Sequence, residues 1–371
     1  MKYNFGNLAD SLPAIKAIER FHELKKALTF DDVTIIPRKS RINSRDECDT
    51  TTQISRNVKT RAPIIGSPMD TVTERSMAQA LNDLGGIGFI HRFMSIDEQI
   101  DQIKSMVQGS NVGGTIGVKD DYLERAQELE KAGATVLLID VAHGDHTLVI
   151  KALDELKKHI KIDIIAGSVS TRSGTKHLLD HGADGIRVGQ GNGSLCETRI
   201  KTGCGVPQIT ALLNAQIALE EYLHRNPNER ANRPSIISCG GIRVPGDLAK
   251  AVVAGADSVI LGSLLAGTKE APGDILRMGD WPNEQLFKSY RGSASLEAKR
   301  ARGEVEKNIE GNSKLIPYKG KVKRIFNDLM DGLKSAMSYT GTSGIRSFQW
   351  AAQLNEVTNA GLEESHPHLR K

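Results

Sequence analysis

The stretch 135–169, TVLLIDVAHGDHTLVIKALDELKKHIKIDIIAGSV, holds one complete strand–helix–strand unit. Residues 135–142 and 163–169 are short, β-branched and continuously apolar, while 148–159 repeats its apolar residues at helical spacing. A strand that is apolar on both faces is covered on both sides, as in a parallel sheet flanked by helices. Six further runs of this kind occur at 62–69, 87–92, 113–118, 185–190, 235–240 and 258–263. The stretches 77–84, 96–106, 123–132 and 248–256 carry helical periodicity, and Gly85, Gly133 and Gly255 stand where such helices end. Eight strands alternating with helices predict a (β/α)8 TIM barrel of the α/β class. A doubly wound sheet needs fewer strands or a break between two halves, and no linker interrupts the series.

Outward from that series, residues 1–28 form a helical leader, with its periodicity at 12–28, and 29–371 form a single barrel domain. Residues 285–320 are polar and weakly periodic, which predicts a mobile flap, and 321–371 hold an amphipathic helix near 322–337 followed by a charged tail. The chain has 371 residues, 39% of them hydrophobic and 25% charged, which excludes wholesale disorder. It has no apolar run long enough to span a membrane and no signal-peptide stretch, so a cytoplasmic protein is expected. Lys plus Arg number 49 against 45 Asp plus Glu, interspersed, and aromatics are only 4%. That balance offers neither a basic stripe nor stacking platforms for nucleic acid. The four cysteines, at 48, 196, 204 and 239, form no CxxC pair, which argues against both a zinc site and a disulfide framework.

In such a barrel the chemistry sits in the loops after the strands. Gly189, Gly191 and Gly193 follow the sixth strand, Gly240 and Gly241 the seventh, and Gly262 the eighth. Glycines there let backbone N–H groups approach a ligand, and the last two loops are the usual phosphate site of the fold, with Ser194 and Ser263 as added donors. Cys196 lies in GQGNGSLCETR (189–199), a loop too polar to be core, where a thiol is placed to act as a nucleophile, with Thr198 in reach of its proton. Cys48 and Cys204 carry no such signal.

The loop 185–199, GSPMDTVTE (66–74), CGGIR (239–243), GSLLAGTKEAP (262–272), SYRG (289–292) and ESHPH (364–368) together resemble the inosine-monophosphate dehydrogenase / guanosine-monophosphate reductase family, in motif order from about Leu28 to the C-terminus. The resemblance implies a homotetramer or octamer acting on a purine nucleoside monophosphate with NADPH or NAD(H). By that resemblance Cys196 attacks purine C2 to form a thioimidate, and Thr198 and Glu310 handle the proton of the second nucleophile. Ser194, Gly241, Gly262, Ser263 and Tyr290 correspond to the 5′-phosphate site, and Ser67, Met69, Arg187 and Gly240 complete the nucleotide site. Asp140 matches the acid that orients the nicotinamide ribose, with Ala142, His143 and Gly189 on the same cofactor side. The carbonyls of Gly191, Gly193 and Cys196 resemble the family's monovalent-cation loop, which holds potassium.

The sequence departs from the family in four places. Residues 103–112 lead almost directly into the third strand, so the nucleotide-sensing CBS insertion of most dehydrogenases is absent. Eighteen positions separate Gly292 from Glu310, shorter than the dehydrogenase flap, and no Arg-Tyr pair lies between them, with Arg300 and Arg302 as substitute bases. That favours reductive deamination of a guanine mononucleotide, whereas the PMDTVTE, GGIGFIH and AGTKEAPG motifs resemble the dehydrogenase branch. Cys239 stands where the family has an Asp for both ribose hydroxyls, which points to an altered sugar, dGMP first. Gln190, Ser168, Ser293 and Ala294 also replace the family's residues around the reacting centre. A barrel that binds the nucleotide without turning it over is the third alternative, and the intact Cys196, Thr198 and Glu310 weigh against it.

Overall fold

The computed structural model of the chain describes residues 26–280 and 282–367. The expected leader lies outside them except for its last three residues. Eight parallel strands close into a barrel in sequence order: β1 (Ile64–Gly66), β2 (Ile87–Ile90), β3 (Val112–Ile116), β4 (Val136–Asp140), β5 (Asp163–Val169), β6 (Gly185–Val188), β7 (Ser235–Cys239) and β8 (Ser258–Leu261). β8 returns to β1 through the pairs Val259–Ile64 and Ile260–Ile65. All eight strands read from the sequence are present, and the TIM barrel is the fold.

Alternation along these strands divides the core in two. Ile65, Ile87, Phe89, Val136, Leu138, Ile165, Ile237 and Ile260 fill the barrel interior, together with Ile54 and Val58 from a hairpin across its N-terminal mouth. The alternate residues, such as Ile64, Leu137, Ile139, Ile186 and Leu261, face the helices. These are α1 (Arg75–Leu84), α2 (Ile96–Lys104), α3 (Tyr122–Ala132), α4 (Thr147–His159), α5 (Arg172–Asp180), α6 (Gln208–Arg225) and α7 (Pro245–Val253). Only residues 105–111 separate α2 from β3. At β2 the layers meet closely: a Cβ on Gly88 would lie 2.5 Å from Ala78 Cα in α1. Gly88→Ala is therefore expected to cost about 1–3 kcal/mol of stability through overpacking, read as a lower urea midpoint.

The stretch 285–320 differs from the loop expected. β9 (Leu276–Met278), β10 (Gln285–Arg291) and β11 (Ser313–Pro317) form an antiparallel sheet, with α8 (Leu296–Ala301) between the last two. The C-terminal region also differs from a helix with a charged tail. After α9 (Val322–Thr340) the chain forms another helix, Ile345–Ala351, then a strand, Leu354–Glu356, paired antiparallel with Val33–Ile35 ahead of the barrel. Among the described residues no helix is long and apolar enough to cross a membrane.

Candidate active site

A cleft of about 410 Å³ opens at the C-terminal ends of the strands, beneath the β10–α8–β11 excursion. The site residues named from the sequence line it, except for His143 and the candidate base Arg300. His143 stands one layer behind, with its Nδ1 3.0 Å from Gln190 Nε2. Arg300 turns away to an ion pair with Glu306.

At one end, the short β8 strand stops at Leu261 and gives way to Gly262 and Ser263. Lys319, just after β11, donates through Nζ to the carbonyls of Ser263 and Leu264 and so fixes this turn. Burial pushes the Lys319 ammonium below its ordinary value. Tyr290 on β10 places its hydroxyl 3.2 Å from Ser194 Oγ, and a Cβ on Gly262 would lie 3.2 Å from the same hydroxyl. Burial raises the Tyr290 phenol above its usual range, which keeps it protonated as a donor. Hydroxyls and exposed amides without a facing carboxylate make this end suited to an anion.

At the other end, the sixth loop delivers Cys196 just ahead of a helical turn, Thr198–Thr202. The Cys196 thiol donates to Thr198 Oγ1 at 3.2 Å, and Thr198 donates to Glu310 Oε2 at 2.7 Å. Glu310 comes from the stretch ahead of β11, where bridges join Gly311 to both Cys196 and Ser295 and Glu197 N–H donates to the Glu310 carbonyl at 2.8 Å. Thiol, hydroxyl and carboxylate thus form an unbroken line along which a proton can leave sulfur. Ser293 and Ala294 border it, and the Ala294 carbonyl accepts from Glu310 N–H at 3.2 Å.

Between the ends lies a buried charged group. Arg187 on β6 donates to Asp140 Oδ1 at the end of β4, and its Nε donates to the Cys239 thiol at 3.2 Å. Burial alone would lower the guanidinium's pKa, but Cys239 and Asp140 together raise it. Gly189, with φ at +139°, is obligatory here because a Cβ would lie 2.2 Å from the Cys239 carbonyl. Asn192 secures the contact by donating to that carbonyl at 3.0 Å and to Gln208 Oε1 at 2.6 Å. Gln190 replaces an aliphatic contact with hydrogen bonds: it accepts from Ser170 at 2.6 Å and donates to the Ala142 carbonyl at 3.2 Å. Ser168 N–H donates to the Val141 carbonyl at 3.1 Å.

Several lining residues escaped the sequence analysis. Arg92 and Phe93 follow β2, and Lys299 and Glu304 come from α8 and the turn after it. Arg302, read from the sequence as a substitute base, joins them in a different arrangement. Its guanidinium stands 4.2 Å from the Phe93 ring centroid, and that of Arg92 stands 5.1 Å from the same ring. Arg302 is also tied to Glu304 and to the Ser293 carbonyl. Arg92 Nε and Arg302 Nη1 are buried without a protein partner. The signal for Arg92 was its place directly after the second strand; Lys299 and Glu304 had none, since only the folded excursion carries them over the barrel. All four cysteines are free, Cys48 buried and Cys204 exposed. Among the described residues no His, Cys, Asp and Glu side chains group into a metal site.

Residues 27–368 match the family described as the IMP dehydrogenase / GMP reductase domain. The inosine-5′-monophosphate dehydrogenase of Cryptosporidium parvum is 35% identical, aligned over 92% of this chain and 95% of its own. That of Borreliella burgdorferi is 36% identical over 93% and 97%. A crystal structure of a single-residue variant of GMP reductase from Trypanosoma brucei, in complex with guanosine 5′-monophosphate, superposes with a TM-score of 0.86 at 29% identity. The match covers 95% of this chain and 100% of that one.

Proposed function

The chain belongs to the IMP dehydrogenase / GMP reductase family of NAD(P)-dependent oxidoreductases, and we propose that it reduces a guanine mononucleotide to the hypoxanthine nucleotide with release of ammonia. The observation that carries the choice is the roof over Cys196. It is short, and both of its arginines are committed: Arg300 to Glu306, which holds the guanidinium above its ordinary pKa, and Arg302 to Glu304 and Phe93. A guanidinium held in its charged form is a poor base for activating water, so hydrolysis of a covalent intermediate lacks its agent, whereas reduction needs none.

The nucleotide phosphate lies on Gly241, Gly262, Ser263, Ser194 and Tyr290, with Ser67, Met69 and Gly240 lining its path, and the purine reaches Cys196. The thiol proton passes through Thr198 to Glu310, and the sulfur adds to C2. The C2–N bond then breaks and the amino group departs as ammonia, taking its proton back along the same line. When bound, a reduced nicotinamide supplies the hydride that replaces nitrogen at C2 as the sulfur departs. Across the cycle one hydride and two protons are consumed and one ammonium ion is released.

The chain fits such a dinucleotide, NADPH or NADH. Asp140, Ala142, Gly189 and the Gln190–His143 pair flank the reacting end, and the orphaned N–H groups of Arg92 and Arg302 offer donors to its diphosphate. The carbonyls of Gly191, Gly193 and Cys196 are neutral oxygen donors without a carboxylate, a set suited to potassium rather than a divalent ion. A homotetramer is the assembly proposed; Trp350, 82% exposed, and Tyr339, 62% exposed, supply apolar surface for it.

The test is absorbance at the nicotinamide band with IMP and oxidised cofactors against guanine nucleotides and reduced ones, in potassium buffer. Cofactor consumption with ammonia release is expected; growth of the band with IMP instead would establish the dehydrogenase, which the names of the two similar enzymes favour. Within the reductive assay, Tyr290→Phe is expected to raise KM for the nucleotide about tenfold with kcat little changed, the loss of one donor to a charged group.

A further inference from the structure

We infer that the nucleotide site is built for a 2′-deoxyribose, so that the preferred substrate is a 2′-deoxyribonucleoside monophosphate; this rests on the nucleotide reading above. A nucleotide with its phosphate on Gly241, Gly262 and Tyr290 and its base at Cys196 must lay its sugar across the end of β7. There Cys239 directly precedes Gly240 and Gly241. Each hydroxyl of a ribose cis-diol has a proton to donate, and a carboxylate is the group that accepts from both.

The cleft has three carboxylates, and each is already engaged. Asp140 accepts from Arg187, Glu304 accepts from Arg302, and Glu310 accepts from Thr198. What faces the sugar is the Cys239 thiol, a weak acceptor that already receives Arg187 Nε at 3.2 Å. The Cys239 carbonyl is taken by Asn192. The remaining groups at this strand end, the Arg187 guanidinium and the Gly240 and Gly241 amides, are donors. A soft, polarisable sulfur suits the C2′ methylene of a deoxyribose better than a hydroxyl whose proton has no acceptor.

The test uses the purified full chain with GMP, dGMP, IMP and dIMP. Binding of each is read by calorimetry without cofactor, and kcat/KM for GMP and dGMP with reduced cofactor. A buried hydroxyl left without an acceptor predicts a preference for the deoxynucleotides of roughly ten- to a hundredfold, expressed mainly in affinity and KM. Cys239→Asp is expected to narrow or reverse that preference by improving the ribonucleotides, while Cys239→Ser leaves most of it. Equal affinities for the ribo and deoxy forms in the wild-type protein would overturn the inference even if GMP is reduced at full rate. Tighter binding of dGMP and dIMP without turnover would uphold it and overturn the reductase assignment instead. Failure to bind any of the four nucleotides would overturn both.

Discussion

Replacement of Cys196 by alanine is expected to lower turnover by roughly 10⁵-fold or more while nucleotide affinity changes only a few-fold. The proposed reaction makes and breaks its bonds to C2 through this sulfur, and no other group in the cleft can replace it. The second thiol there, Cys239, lies on a different strand and is held by Arg187 Nε at 3.2 Å. Cys196 is exposed, so the truncation leaves no cavity and the thermal midpoint stays unchanged. Cofactor oxidation under single-turnover conditions, alongside calorimetric binding of the nucleotide, reads both halves. A variant that keeps more than about one per cent of wild-type activity would remove covalent catalysis from the mechanism.

Glu310→Gln is expected to reduce kcat by about 10²–10³-fold with the nucleotide KM nearly constant. The amide preserves shape and can still accept from Thr198 through its oxygen, but it cannot take up a proton. The thiol proton then has no destination, and the departing ammonia no source. Thr198→Val breaks the same line one atom earlier. Because the three groups act in series, the Thr198→Val, Glu310→Gln double variant is expected to be no slower than the slower single one. Losses that multiply would mean that Thr198 and Glu310 serve separate steps.

The barrel was legible because each of its strands is buried on both faces, which leaves apolar runs such as 135–142 and 163–169 that no surface element carries. α5 is harder to read. Its buried face includes Gly174 and Thr175 beside Leu178 and Leu179, so half of the expected apolar stripe is missing. β10 hides its strand character more completely. Its well-buried residues are Lys288 and Tyr290, and Lys288 is satisfied by the carbonyls of Thr268 and Ala271. A polar buried face shows no hydrophobic alternation, and the stretch therefore reads as a loop.

The site shows the same division. Cys196, Thr198 and the glycines after the late strands stand out locally, because a polar, glycine-rich stretch after a buried strand has few other uses. Arg92, Phe93 and Arg302 are brought together by the excursion alone, from opposite ends of the barrel sequence. Their stacking leaves no periodic or motif trace. Gln190 and Ser168 were legible as departures from the family, but their hydrogen bonds to the loops after β4 and β5 required coordinates.

The excursion that roofs the cleft leaves and returns at nearly one point. A Cβ on Gly292 would lie 3.7 Å from Gly311 Cα, and Gly292 N–H donates to the Asn312 carbonyl at 2.9 Å. Residues 293–310 therefore form a closed loop whose two ends are pinned independently of its length. Lengthening it from about eighteen to about twenty-eight residues would add only about 0.4 kcal/mol of closure entropy. Tyr290 and Glu310, on either side of the pinned point, would keep their places while the chain between them grew. Ancestral insertions and deletions at this loop could thus exchange water-using and water-free chemistry at almost no thermodynamic cost, with the barrel and its nucleotide contacts inherited intact.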